Sequence, residues 1–336
     1  VATALLVAAA GAQADGAAVF PDGSELPQSG AAFLCLPGQP DAAQDQTSGV
    51  VVVDGELYSI GDDSGQIFHF SLDPPYMKRF DAMQVPPWRV GMDLEDLTYI
   101  AETGEFAASL ETGDTRVRIV KERDGKLEPS YSFALRVPPL YTAESNVGPE
   151  GLAWDGDASV LIVGWEGGDL RRYLSFYRLT IEQGRVKRAK FLRHLDMSTG
   201  PISISGLFYD AATKTLLVLD RNSDALYVYP QWDTEAVVAQ KSKEYEGPAP
   251  IVVRFRDIED PLHRQFQYHS FEGAALDDMG RLWVVTDPWR SADRSKYRLA
   301  DGTIDEYYYK FVPQIVWFDG FRDQLAEALA SRNLGL

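Results

Sequence analysis

The chain has 336 residues, enough for one large domain or two smaller ones. Its 45% hydrophobic and 24% charged composition is that of an ordinary folded protein, and its formal net charge is −18. No Lys or Arg precedes Lys78, so the chain lacks the basic face that a phosphate backbone needs and nucleic acid is excluded as a natural partner.

In chain order, the first stretch is VATALLVAAAGAQADG: an apolar run, then small residues at Ala12 and Ala14. This is the pattern of the back half of a secretory signal peptide, so residues 1–14 are expected to be a leader remnant. The mature chain is then expected to start near Asp15 and to reside in a periplasm or outside the cell. The run is too short to cross a bilayer and no later segment is long enough, so no membrane span is expected. A single cysteine, Cys35, excludes an internal disulfide.

A repeat follows. Five stretches share one pattern: TSGVVVVDGELYSIGDD from Thr47, LEDLTYIAETGEFAASLE from Leu94, PEGLAWDGDASVLIVGWE from Pro149, ISGLFYDAATKTLLVLD from Ile204, and FEGAALDDMGRLWVVTD from Phe271. Each has Ser or Glu, usually followed by Gly, then a short apolar run, a polar turn, and a second apolar run ending in a carboxylate. The opening residues Ser48, Glu95, Glu150, Ser205 and Glu272 are 47, 55, 55 and 67 residues apart. Between the copies lie further strand-like runs: RVRIV, YSFALRV, YRLTI, FLRHL, LYVYP and IVVRF. Four short strands per unit of roughly 50 residues is the signature of a β-propeller blade.

The pattern predicts one all-β propeller domain over residues 15–320, with five blades. Only one or two strands follow the fifth motif, around QIVWF, while FLCLP precedes the first, so the N-terminal strand is expected to complete the last blade. The alternative is a sixth, degenerate blade built from residues 15–47 and 288–336. At the end of the chain Phe321, Leu325 and Leu329 stand four apart, which predicts an amphipathic helix over 321–336 packed on the outside of the ring.

Within each copy the opening residue and the closing acid are separated by 15 or 16 residues: Ser48 and Asp63, Glu95 and Glu111, Glu150 and Glu166, Ser205 and Asp220, Glu272 and Asp287. The midpoints fall on turn-prone sequence such as Asp54-Gly55 and Met279-Gly280, so each pair brackets an antiparallel hairpin. Its two ends lie about 5 Å apart across the ladder. In a propeller the first strand of each blade lines the central channel, so these residues converge on one channel mouth. The Gly at positions 49, 151, 206 and 273 keeps the narrow axis uncrowded.

Up to eight carboxylates would then share one rim, which raises their pKa values or recruits a cation. With oxygen ligands alone, Ca²⁺ is the first candidate and Mg²⁺ the second. Glu95, Glu150 and Glu272 are the expected inner ligands, with Glu111, Glu166, Asp220, Asp287 and Asp63 outside them. The other reading is structural: carboxylates at strand starts accept backbone N–H bonds from neighbouring blades, and the closing acids face water.

The stretches GPEGLAWD…LIVGWE, ISGLFYDAATKTLLVLDR and FEGAALDDMGRLWVVTD resemble blade motifs of the phytase-like propellers, the family described as esterase-like activity of phytase. They are equally similar to the SdiA-regulated propellers of exported bacterial proteins. The resemblance covers most of residues 47–290 and rests on short motifs. It implies an exported propeller with calcium in the channel; those families are usually described with six blades, from which the count of five departs. The resemblance also draws attention to LDR, Asp220-Arg221. Arg221 follows the rim directly, where a guanidinium either binds a phosphate or carboxylate ligand in a bidentate way or pairs with a neighbouring acid. Trp165 and Trp289 flank the rim acids, and these two, with Trp88, either wall a shallow pocket or pack in the core.

Other chemistry is missing from the sequence. Around Ser205 the spacing GPISISG is not a nucleophile elbow. His69, His194, His263 and His269 form no compact zinc pattern, and the polyaromatic EYYYKF reads more simply as a strand than as a sugar platform. Two functions remain. One is a calcium-dependent phosphoesterase or esterase, with Arg221 stabilising developing charge. The other is a non-catalytic propeller that uses the same rim to bind a small molecule or an envelope protein. A monomer is expected in either case.

Overall fold

The computed structural model describes residues 27–34, 47–62, 64–72, 80–86, 93–111, 115–139, 141, 148–166, 172–197, 200–255, 257–259, 263, 265, 269–286, 301–303 and 313–331. A first strand, β1 (Gly30–Phe33), precedes the motifs. Blade 1 follows as β2 (Thr47–Val53), β3 (Glu56–Gly61), β4 (Gln66–Ser71) and β5 (Phe80–Gln84). Blade 2 is β6 (Leu94–Ile100), β7 (Glu105–Leu110), β8 (Arg116–Arg123) and β9 (Lys126–Ala134). Blade 3 is β10 (Pro149–Asp155), β11 (Val160–Trp165), β12 (Tyr173–Glu182) and β13 (Arg185–Asp196). Blade 4 is β14 (Ile204–Asp210), β15 (Thr215–Asp220), β16 (Ala225–Tyr229) and, after the short helix α1 (Thr234–Ala239), β17 (Ile251–Arg254). Blade 5 is β18 (Phe271–Leu276), β19 (Leu282–Thr286) and β20 (Gln314–Phe318), with β1 as its outermost strand; α2 (Phe321–Ser331) ends the described chain.

The fold is therefore a five-bladed β-propeller, and the N-terminal strand closes the ring as expected. β1 pairs antiparallel with β20, from Gly30 opposite Trp317 to Phe33 opposite Gln314. The innermost strands β2, β6, β10, β14 and β18 pack side by side in that order, and β18 returns to β2.

The apolar runs lack polar alternation because each sheet is buried on both faces. Along β11, Val160 and Ile162 pack toward blade 4 while Leu161, Val163 and Trp165 pack toward blade 2. β15 divides the same way: Leu216 and Val218 face blade 3, and Leu217 and Leu219 face blade 5. Five such apolar clusters fill the five interfaces between blades. Each fully buried Leu or Val in them is worth roughly 1.5–3 kcal/mol of burial.

The hairpins turn where the sequence predicts. Asp54 and Gly55 take left-handed φ values of 50° and 75°, the pair of positive angles a two-residue type I′ turn needs. Helix α2 buries Phe321, Leu325, Ala328 and Leu329 against blades 4 and 5, matching the expected stripe; residues 332–336 of the predicted helix lie outside the described part. Helix α1 has no counterpart in the sequence reading. It is a single short segment capped by Asp233, whose carboxylate accepts from the Ala236 N–H, and it seats Val237 in the apolar cluster between blades 3 and 4.

Candidate functional site

The opening residue of each blade sits on a β-bulge. The inner strand carries one residue more than its partner between Thr47 and Val50, Leu94 and Leu97, Pro149 and Gly151, Ile204 and Gly206, and Phe271 and Gly273. A bulge leaves one residue out of the ladder and re-aims its side chain. It also frees backbone groups, which serines of the second strands satisfy: the Ser109 hydroxyl accepts from the Asp96 N–H at 3.0 Å, and Ser59 donates to the Gly49 carbonyl at 3.0 Å. Five bulges at one end of five inner strands create the mouth.

The glycine after the opening residue is a steric requirement. A Cβ on Gly49 would stand 2.5 Å from the Asp96 Cα on the next blade. Blade 2 is the exception, carrying Asp96 where the other four have Gly. Its carboxylate, 2% exposed, accepts from the Leu97 N–H at 2.8 Å and from the Leu152 N–H on blade 3 at 2.6 Å. Asp96 thus ties neighbouring inner strands together beneath Glu95. Burial pushes its carboxyl well up despite these bonds.

Acids come together here in two overlapping groups. Ligand oxygens of Glu111, Glu150 and Glu166 all lie within 4.8 Å of one another, as do those of Asp93, Glu95 and Glu111. Glu111 belongs to both. At that separation two carboxylates repel by about 3 kcal/mol at an effective dielectric of ~20. That is comparable to the cost of holding a proton, and the mouth shows it. Burial first, and then the charges of Asp62, Glu111, Glu272 and Asp93, raise Glu95 well above the usual carboxylate range. Burial, Glu95 and Glu166 do the same to Glu150. Glu111 is pushed up to about 7 by burial, Glu166 and Asp93. Glu272 also reaches about 7, burial outweighing the opposing pull of Arg221.

Among the described residues, one guanidinium bonds to these acids. Arg221 donates to Glu272 Oε1 at 2.6 Å through Nη1 and to Glu166 Oε1 through Nη2. Burial alone would lower its pKa, but Glu272, Glu150 and Glu166 outweigh it and raise it. Register explains its place. Glu111 and Glu166 each follow the residue that pairs with the start of the inner strand, Leu110 and Trp165. In blade 4 that pairing residue is Asp220, opposite Ile204, so Arg221 occupies the rim position.

Of the residues expected at the rim, Glu95, Glu111, Glu150, Glu166 and Glu272 converge there and Asp220 does not. Asp220 is fully buried and accepts from the N–H groups of Ile202, Ser203, Asn222 and Ser223. It caps the single 3₁₀ turn that presents Arg221. Asp63, Asp287, Trp88 and Trp289 lie outside the described residues, as does the EYYYKF stretch apart from its neighbours. Trp165 is packed between blades 2 and 3, 1% exposed, and donates to Ser175 Oγ at 2.8 Å. It belongs to the core. The sequence reading missed Asp93 and Asp62, which act on Glu95, as well as Asp96. The run MDLED, with three acids in four residues, was the available signal for two of them.

The mouth serines are all engaged: Ser205 donates to the Phe271 carbonyl at 2.9 Å, Ser203 to Glu166 at 3.1 Å and Ser270 to Glu272 at 3.3 Å. Ser175 stands 2.7 Å from His194 Nδ1 but is fully buried within blade 3, and burial lowers the His194 pKa to about 4. That pair cannot meet a substrate.

Fold and site together define a five-bladed β-propeller with a group of acids where its inner strands begin. The chain belongs to the phytase-like family described as esterase-like activity of phytase, whose model matches residues 46–288. No curated protein matches the chain in sequence. Among solved structures the chain is similar to one in a nidogen/laminin complex, at 15% identity over 79% of this chain and 83% of that one, with a TM-score of 0.45. It is also similar to glutaminyl cyclase of Myxococcus xanthus, at 13% identity over 76% and 91%, with a TM-score of 0.46. A third is the PQQ-bound aldose sugar dehydrogenase of Streptomyces coelicolor, at 13% identity over 87% and 99%, with a TM-score of 0.43.

Proposed function

We propose that the protein is an exported, metal-dependent hydrolase of phosphoesters or related esters, working at the channel mouth with a divalent cation, Ca²⁺ ahead of Mg²⁺. The observation that carries this reading is the sharing of Glu111 between two groups of oxygens, each within 4.8 Å. The donor set is all oxygen, as a hard cation requires. Glu111 Oε1 and Glu272 Oε2 are buried without a hydrogen-bond partner, which is costly unless a cation or proton completes them. Asp93, Glu95, Glu111, Glu150 and Glu166 would hold the ion.

When bound, such an ion supplies Lewis acidity toward a phosphoryl or carbonyl oxygen and lowers the pKa of a bound water. The protein's own groups supply the rest. Glu272, which is outside that ligand set and has a pKa of about 7, can take up or release a proton near neutrality, the property of a general base. Arg221 faces the same acids from blade 4, and its fork of donors fits an oxyanion that competes with Glu166 and Glu272 for it.

A specific observation favours the second reading, a non-catalytic rim that binds a small molecule or an envelope protein. Ser48, Ser203, Ser205 and Ser270 are each already donating, so none of these four is a free nucleophile. Turnover of p-nitrophenyl phosphate and p-nitrophenyl acetate, with calcium or with chelator, separates the two. The hydrolase reading expects calcium-dependent turnover that falls by roughly 100-fold or more in Glu111→Gln and Glu150→Gln. Turnover unchanged in both variants rejects a catalytic rim. Calcium binding without turnover selects the second reading.

A further inference from the structure

The other end of the propeller holds a cleft of about 600 Å³. It lies between the β10–β11 and β14–β15 hairpin turns, the start of α1 and the last turn of α2. Counting along β10, it stands about 17 Å from Glu150, five residues of strand away. Its polar lining is acidic. Asp155, Asp157, Asp233 and Glu235 contribute carboxylates, against a lining cation in Lys214. Glu235 is compensated by Arg178, and Asp155 and Asp233 each spend one oxygen on a backbone N–H. The exposed Asp157 makes no such bond. The apolar surface of the cleft comes from Ala158, Ala212, the stem of Lys214 and the edge of Tyr209, with Trp232 and Leu329 buried behind it.

Tyr209 is the informative residue. Its side chain is packed in the cluster between blades 3 and 4, only 9% exposed, yet its hydroxyl has no hydrogen-bond partner among the described residues. Burial, and then the charges of Asp155, Asp157, Asp210 and Asp233, push that hydroxyl up to about 12. A phenol whose ring is packed in the core while its hydroxyl opens into a cleft lined by carboxylates offers a ligand both a donor and an acceptor.

We propose that this cleft is a second binding site, taking an organic cation: an ammonium or guanidinium group carried on an apolar body. The carboxylates attract the charge, the phenol oxygen accepts from it, and the Tyr209 edge with Ala158 and Ala212 takes the body. A bare metal ion fits less well. Among the described residues, the acidic groups whose oxygens approach within 4.8 Å of one another are at the channel mouth, and those of the cleft are not among them. The cleft acids are spread over a space suited to a larger molecule.

Calorimetry on the full chain tests this with two cations, benzylamine and the blocked peptide acetyl-Gly-Lys-Gly-amide, and with benzyl alcohol and benzoate as neutral and anionic counterparts. At least one cation is expected to saturate a single site, at least tenfold tighter than either counterpart. Preference for benzylamine identifies a free amine as the source of the cation, and preference for the peptide a basic side chain. Tyr209→Phe and Asp157→Asn keep the ring and the turn, so both variants should fold, as circular dichroism will check. Each should weaken binding about threefold and the pair about tenfold, while Glu150→Gln leaves it unchanged. Equal binding of benzyl alcohol, no binding of either cation at millimolar concentration, or unchanged binding in the double variant overturns the proposal. Loss of binding in Glu150→Gln, or displacement by calcium, does so as well, because each moves the site to the mouth or hands it to a metal.

Discussion

The two halves of the acidic group are built from the same hairpin and differ in how their charge is answered. On the side of blades 4 and 5, Asp220 is satisfied by four backbone N–H groups, and Arg221 binds Glu272 and reaches across to Glu166. On the side of blades 2 and 3, Asp93, Glu95, Glu111 and Glu150 crowd together with no guanidinium bonded to them among the described residues. A single position decides this. Where blades 2 and 3 end the second strand with Glu111 and Glu166, blade 4 presents Arg221. Among the described residues one guanidinium answers several acids, so half of the mouth is neutralised, and the proposed metal ion is assigned to the other half.

Substitutions should separate the halves. The largest effect is expected from Arg221→Ala, which leaves Glu166 and Glu272 buried against each other; the metal-free protein should lose about 3–5 kcal/mol in denaturant unfolding. If Arg221→Ala is neutral, the compensated half is not compensated by it. Asp220→Ala strands four backbone donors and should cost roughly 2–4 kcal/mol, with Asp220→Asn recovering part of it. In the uncompensated half the sign reverses. Glu150→Gln removes a charge that its neighbours disfavour and should stabilise the metal-free protein above pH 7 by about 1–2 kcal/mol. A loss of stability there would mean that Glu150 serves as a structural acceptor.

The smallest effect is on pH dependence. Glu111 and Glu272 titrate near 7 in the folded chain against an ordinary 4.5, so the native state binds more protons than the unfolded one in that window. Their contribution is complete below about 4.5 and is lost as pH rises through about 7. Metal-free protein should therefore melt a few degrees lower at pH 8 than at pH 5.5, and saturating calcium should remove the difference. A melting temperature that rises over this range contradicts the assignment.

The ring was legible because its signal is repeated: five Glu/Ser-led hairpins, apolar runs without alternation, and an orphan first strand. The grouping of Glu95, Glu111, Glu150, Glu166 and Glu272 followed from that ring. The bulges were not legible, since one extra residue in an inner strand leaves no mark in composition. Without them, a spacing of 15 placed Asp220 among the rim acids, when the ladder puts Arg221 there. Trp165 illustrates the same limit. Its neighbour Glu166 faces the mouth while it turns into the space between blades, a difference of one residue along a strand. Helix α1 was missed because six residues with two adjacent valines carry too little period to distinguish helix from strand.

The central claim is that a divalent cation occupies the half of the mouth that Arg221 leaves uncompensated. Calcium calorimetry at pH 7, run in two buffers of different ionisation enthalpy, measures both binding and proton release for the wild type, Glu111→Gln and Asp220→Asn. The expected result is saturable binding that releases protons from the mouth carboxyls, abolished in Glu111→Gln and kept in Asp220→Asn. Absence of binding in the wild type, or binding that survives Glu111→Gln with its proton release unchanged, would contradict it.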